Sequence, residues 1–174
     1  NKYMQPSDYV TANDAPYFHL TYAEVEMFLT EAAARGWTTD AATHWENGVR
    51  AGMQHVALYP GSPAITDAEI DAYLTANPLP AATADQIRVA NEQLWVIYFL
   101  NGTEAYANYR RSGYPDLQPF TNVEWYYSGT NGVMPRRFFY PEFEAQNNPV
   151  NYADAIQRIG GTNNMMTPVW WDAD

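Results

Sequence analysis

The sequence predicts an all-α protein built on tetratricopeptide-like helical hairpins, with a loop-rich C-terminal half. Three observations carry this. Capping boxes, a Thr followed three residues later by Glu or Gln, open apolar runs of helical spacing at Thr21, Thr66 and Thr83. No stretch alternates strand and helix patterns in the manner of a parallel sheet. Beyond Gly113, turn residues crowd together: Pro115-Asp116, Gln118-Pro119, Ser128-Gly129 and Asn131-Gly132.

Residues 1–20 read as irregular, punctuated by Pro6, Asp8, Asn13, Asp14 and Pro16. The first helix follows the box Thr21-Tyr22-Ala23-Glu24, with Tyr22, Val25, Leu29, Ala32 and Ala33 expected on one face and Gly36 as its stop. Asp40 caps a second helix through Trp45, Val49, Gly52, Met53 and Val56. A short link makes residues 21–57 a helical hairpin. Small residues Ala32, Ala33, Ala34 and Gly52 would let its two backbones approach closely. Such a hairpin, about 35 residues long, is the unit of tetratricopeptide-like arrays.

Residues 58–112 hold further helices. One runs from the box at Thr66 to about Ala76, where Asn77-Pro78 stops it. Another follows the box Thr83-Ala84-Asp85-Gln86. It is apolar nearly all round as far as Leu100, which predicts the buried centre of the core. A third spans 103–111. Residues 113–174 are loop-rich. Residues 123–132 form a short hairpin or a wide loop, and one short helix runs over 151–159. The tail carries Trp170-Trp171, expected to dock on the core because exposing two indoles is costly.

Composition excludes several classes. The 174 residues carry 20 acidic and 9 basic side chains, a net charge of −11, and all the basic residues except Lys2 are arginine. A phosphate-backbone binder needs a basic excess, so nucleic acid is not an expected partner. With 6 Trp, 14 Tyr and 7 Phe the chain is too aromatic for a disordered one. Without Cys it has neither a disulfide framework nor a thiolate metal site. The longest strongly apolar stretch, 94–100, is far short of the roughly 20 residues that span a bilayer. His19, His44 and His55 lack zinc spacing. No cofactor is expected. Calcium stays open at Asp8, Asp14, Asp172 and Asp174, although no EF-hand-like loop is present. No G-x-S-x-G and no phosphate-binding glycine loop occurs. Nothing sets two carboxylates across a cleft, so no enzyme activity is expected.

Several motifs in order carry a resemblance. They begin with Thr21-Tyr22-Ala23-Glu24-Val25 leading into Glu31-Ala32-Ala33-Ala34-Arg35-Gly36-Trp37, followed by the helix at 44–53. Next come Gly102-Thr103-Glu104-Ala105-Tyr106 and Arg110-Arg111-Ser112-Gly113-Tyr114-Pro115-Asp116-Leu117. Pro135-Arg136-Arg137, Tyr140-Pro141-Glu142 and the closing Trp170-Trp171-Asp172 complete the set. Together they resemble the SusD/RagB family of nutrient-binding outer-membrane lipoproteins, over most of residues 15–172. Tyr106 stands where Trp is usual and Ser112 where Thr is usual.

The resemblance implies a SusD-like, largely helical fold, of which residues 1–174 would be the C-terminal portion of a single domain. It implies an outward-facing position at the outer membrane through a lipid anchor outside this portion. It implies a SusC-like TonB-dependent transporter as partner, and an oligosaccharide or peptide nutrient as ligand. It does not imply catalysis. A helical interaction scaffold without a small-molecule ligand is the alternative, argued from the hairpin alone.

Two groups of residues follow from their chemistry. Trp125, Tyr126 and Tyr127, with Asn122 and Asn131 nearby, form the candidate ligand site. Aromatic planes stack on the C–H faces of sugars while amides bind hydroxyls, and rings with a polar tip suit a half-wet site. Glu24, Glu104, Arg110, Arg111, Arg136, Arg137, Trp170 and Trp171 are the candidate structural set. The arginine pairs either clamp an anion or tie loops to the helices through Glu104, Asp116, Glu142 or Glu144. The second role is the expected one, because adjacent side chains diverge on a helix.

Overall fold

The computed structural model describes residues 5–118, 130 and 132–172. The chain divides into two compact units, Asn1–Pro115 and Asp116–Asp174, taken separately here. All regular structure among the described residues is helical.

Unit 1 opens with one short turn, α1 (Asp8–Thr11), inside the stretch read as irregular. The predicted hairpin is α2 (Tyr22–Ala34) and α3 (Ala41–His55). The Thr21 box forms in full: Thr21 Oγ1 accepts from the Glu24 N–H, and the Glu24 carboxylate accepts from the Thr21 N–H. Asp40 departs from expectation. It precedes α3 at φ 65° and makes no side-chain cap, because its carboxylate accepts from Thr39 Oγ1 instead.

After a 3-10 turn at Val56–Leu58 comes α4 (Asp67–Ala76), whose Thr66–Glu69 capping box is complete. In α5 (Thr83–Ile97) the expected box is absent. The helix starts one residue early, with Ala82 at the N-cap, so Thr83 lies inside it. Gln86 reaches back to the Pro80 carbonyl, at 2.8 Å. Asn101 caps α6 (Gly102–Ser112), and Gly113 ends it at φ 75°, a conformation glycine adopts without strain.

Helix α2 packs on α3 and on α5, and α5 packs on α6. The core comprises Met27, Trp45, Val49, Leu94, Tyr98 and Ala105. Two expectations about burial are corrected. The buried face of α2 is Ala23, Met27, Thr30 and three glutamates, whereas Tyr22 and Val25 face solvent. Helix α5 is half buried: Ala90, Asn91 and Leu94 point inward, but Val96 is 62% exposed, and Phe99, in the turn after the helix, is 64% exposed.

The close approach of α2 and α3 also sits elsewhere than expected. At Gly48 an added Cβ would lie 2.3 Å from Met27 Cε and 3.1 Å from Glu26 Cβ. At Gly52 the nearest atom would be Ile97 Cγ1, at an ordinary 3.4 Å. Ala32, Ala33 and Ala34 are only half buried.

Unit 2 holds α7 (Glu142–Asn147), which was not predicted, and α8 (Pro149–Arg158), close to the expected short helix. The possible hairpin at 123–132 falls almost wholly outside the described residues. The tail is held by charge. Arg136 Nε and Nη2 both donate to the Asp172 carboxylate, at 2.8 Å each. Trp170 is 93% exposed and Trp171 about half exposed, so the expected burial of both indoles is not observed.

Candidate functional site

The candidate platform of Trp125, Tyr126, Tyr127, Asn122 and Asn131 lies outside the described residues. The structure instead brings together two other arrangements in unit 1.

The first is a buried polar node. Glu31, on the inward face of α2, accepts two hydrogen bonds from Arg111 of α6, at 2.9 and 2.8 Å, across 80 residues of sequence. Arg35, one turn further along α2, donates to the same carboxylate at 2.9 Å, and Asn91 of α5 donates at 2.9 Å. Arg111 also donates to the side-chain carbonyls of Asn91 and Asn108. Burial alone would raise the Glu31 pKa. The hydrogen bonds from Arg111, Asn91 and Arg35, with the Arg111 charge, outweigh it and hold the carboxyl at about 2.

This node ties three helices together through Arg111, with Glu31 as its acid rather than Glu104, Asp116, Glu142 or Glu144. Arg136 acts likewise in unit 2, with Asp172. The guanidinium of Arg110 sits over the Tyr106 ring at 5.4 Å, and that of buried Arg137 over Tyr140 at 4.8 Å.

Nearby, Glu26 accepts from or shares a proton with His44 Nδ1 at 2.7 Å. Burial would raise this carboxyl too. Hydrogen bonds with Tyr22, His44 and Asn47 and the His44 charge reverse the shift and lower it. Glu24 goes the other way. Its burial outweighs the Thr21 hydrogen bonds, and the Glu104 charge adds to the rise.

The second arrangement is a groove of about 630 Å³. Segment 10–21 forms one wall, and the C-terminal ends of α3 and α5 form the others. Phe18 meets the His55 ring edge-on at 3.9 Å between centroids, and Tyr59 stacks on His55 at 6.2 Å. Burial lowers the His55 pKa and favours its neutral ring. Val96, Phe99 and Leu100 form the far rim. The lining mixes apolar side chains with Glu24, Gln93, Asn101, Thr21, His55 and the tyrosines Tyr17, Tyr59 and Tyr98. Among the described residues no group of three or more His, Cys, Asp or Glu side chains is placed to hold a metal ion.

With this geometry in hand, comparison decides the family. A family model for SusD-like proteins, described as "Starch-binding associating with outer membrane", matches residues 1–141. The chain belongs to the SusD-like family. Solved structures agree with this SusD-like assignment. A chitin-binding protein is 43% identical, superposes with a TM-score of 0.84, and is matched over 98% of this chain and 36% of its own. A Bacteroidetes SusD-like protein is 35% identical with a TM-score of 0.86, over 97% of this chain and 33% of its own. A chitin-binding SusD homologue from Flavobacterium johnsoniae is 26% identical with a TM-score of 0.66, over 87% and 36%. The chain therefore spans about a third of the length of these structures. No curated protein matches it.

Sequence reasoning found the SusD-like motifs but missed the groove and the acid of the node. The groove had a faint signal, since Tyr17-Phe18 and Tyr59 bracket the first hairpin. Glu31 stands in the first motif with Arg35 one turn on, but its partners Asn91 and Arg111 lie 60 and 80 residues away, so periodicity does not mark it as the acid of the node.

Proposed function

We propose that this SusD-like chain belongs to a nutrient-binding subunit at the outer membrane, outward-facing and lipid-anchored. It would bind a glycan of the chitin class and deliver it to a TonB-dependent transporter of the SusC type, without chemical change to the glycan. One observation carries the ligand class: the 43% identity, over nearly the whole chain, to a chitin-binding protein. The family description, which speaks of starch binding and the outer membrane, supports the location and the broader class. Among the described residues no helix is long and apolar enough to cross a membrane.

Ligand contact is proposed for Trp125, Tyr126 and Tyr127, with Asn122 and Asn131. The chemistry is ring stacking with amide hydrogen bonds to hydroxyl and acetamido groups. Isothermal titration with N-acetylglucosamine oligomers, malto-oligomers and a peptide pool tests the reading. Heat is expected with the first. Trp125→Ala is expected to weaken binding at least tenfold, about 1.4 kcal/mol. Binding of malto-oligomers alone overturns the ligand class. Unchanged affinity in a folded Trp125→Ala protein overturns the platform. Release of reducing ends overturns the non-catalytic reading.

A further inference from the structure

Among the described residues, every hydrogen bond made by the stretch 5–20 stays inside it. Val10 donates to the Ser7 carbonyl, Ala15 to that of Ala12, and the Thr11 hydroxyl to Ser7 and Asp8. What joins the stretch to the rest of unit 1 is a cluster of rings. Phe18 meets His55 at 3.9 Å and Tyr59 at 5.7 Å, and Tyr9 meets Tyr59 at 6.3 Å. His55 ends α3, Tyr59 lies just beyond it, and their own rings stack. Within this cluster only His55 belongs to a residue type whose charge changes near neutral pH.

A ring cluster of this kind favours the neutral imidazole. Charging it gives up hydration that carbon neighbours do not replace, and burial accordingly lowers the His55 pKa. The titratable groups lining the groove and the smaller hollow beside His55 are Tyr17 from the same stretch, Tyr22 and Glu24 from α2, Tyr59 after α3 and Tyr98 after α5. Glu24 is the carboxylate among them, and its Oε1 already accepts from the Thr21 N–H and hydroxyl. His19 faces Tyr17 instead. The neutral ring is the form that fits the fold. The hold on the stretch is therefore complete above the ordinary histidine value near 6.5 and weakens as pH falls below it.

We propose that residues 9–18 form a strap, pinned by ring contact to the uncharged His55 and released when that ring takes up a proton. Release removes one wall of the groove, since Val10, Ala12, Ala15, Pro16, Tyr17 and Phe18 build it. The inference does not rest on the glycan reading. Nuclear magnetic resonance on the isotopically labelled 174-residue chain tests it between about pH 8 and about pH 5. The Glu31 node keeps its charge over that span, so the helices stay tied. Three quantities are read: the His55 ring titration, the cross-peaks between the Phe18 and His55 rings, and the backbone order parameters of Ala12, Ala15 and Phe18.

The His55 ring should titrate below the ordinary histidine range. At the upper pH the ring cross-peaks are expected, with order parameters near about 0.85. At the lower pH the cross-peaks should fade and the strap values fall below about 0.6, while Ala90 and Leu94 of α5 stay near about 0.85. His55→Phe keeps a ring in place that cannot be charged, so its strap should stay ordered at both ends of the range. Cross-peaks unchanged down to the lower pH overturn the proposal. An equal loss of order in His55→Phe also overturns it and assigns the response to His19. Where His55→Phe does not fold, Phe18→Ala takes its place: a strap loose at both pH values is expected, and retained order overturns the pin.

Discussion

Glu31 shows how a charge survives at 4% exposure in a small helical unit. Its two oxygens are shared among Arg111, Arg35 and Asn91, so few lone pairs go unmet. The folded pKa, about 2, lies below the ordinary glutamate value near 4.3. The node's contribution is therefore present above about pH 5 and is lost as pH falls toward 2, by roughly 3 kcal/mol at most. Arg111→Met should cost about 3 kcal/mol at pH 7, because a buried carboxylate loses its main partner while Arg35 and Asn91 remain. It should also flatten the loss of stability between pH 5 and 2. Urea unfolding across that range checks both, and an unchanged slope would sink the assignment. None of this was legible from residue periodicity. Counting apolar positions selects the Tyr22–Val25–Leu29 face, whereas a charged side chain joins the inward face only when distant partners meet it there.

Among the elements, the hairpin and its first capping box were readable, since a Thr–Glu pair three residues apart satisfies its own donors locally. The third box was not, because Thr83 competes with a start at Ala82 that Gln86 secures through Pro80. Asp40 was misread for a similar reason: a neighbouring hydroxyl takes its carboxylate. The α2–α3 contact turned out to depend on Gly48 rather than on the alanine run. Gly48→Ala gains up to about 1 kcal/mol of helix propensity. It also drives a methyl into Met27 and Glu26, an overpacking cost of about 1–3 kcal/mol. A net loss is expected by thermal unfolding, and shortening Met27 to Val in the same chain should recover part of it. A net gain in the single variant would show that the Met27 terminus moves aside freely.

At the scale of the whole molecule, the SusD-like motifs made the fold class and family legible, because they recur in a fixed order. The ligand platform stayed a proposal, since aromatic triplets serve packing and binding alike. The net charge of −11 gives a separate test of the ligand class. N-acetylglucosamine oligomers are uncharged, so their affinity should change less than about twofold between 50 and 500 mM salt. A steep salt dependence would point to a charged ligand instead. The Glu31–Arg111 link also bears on how the chain reaches its fold. Joining residues 80 positions apart is expected to come late on the pathway, because a long loop must close before the contact rewards it. Arg111→Met should therefore leave the refolding rate nearly unchanged and speed unfolding, so that the node acts as a latch on escape from the native state.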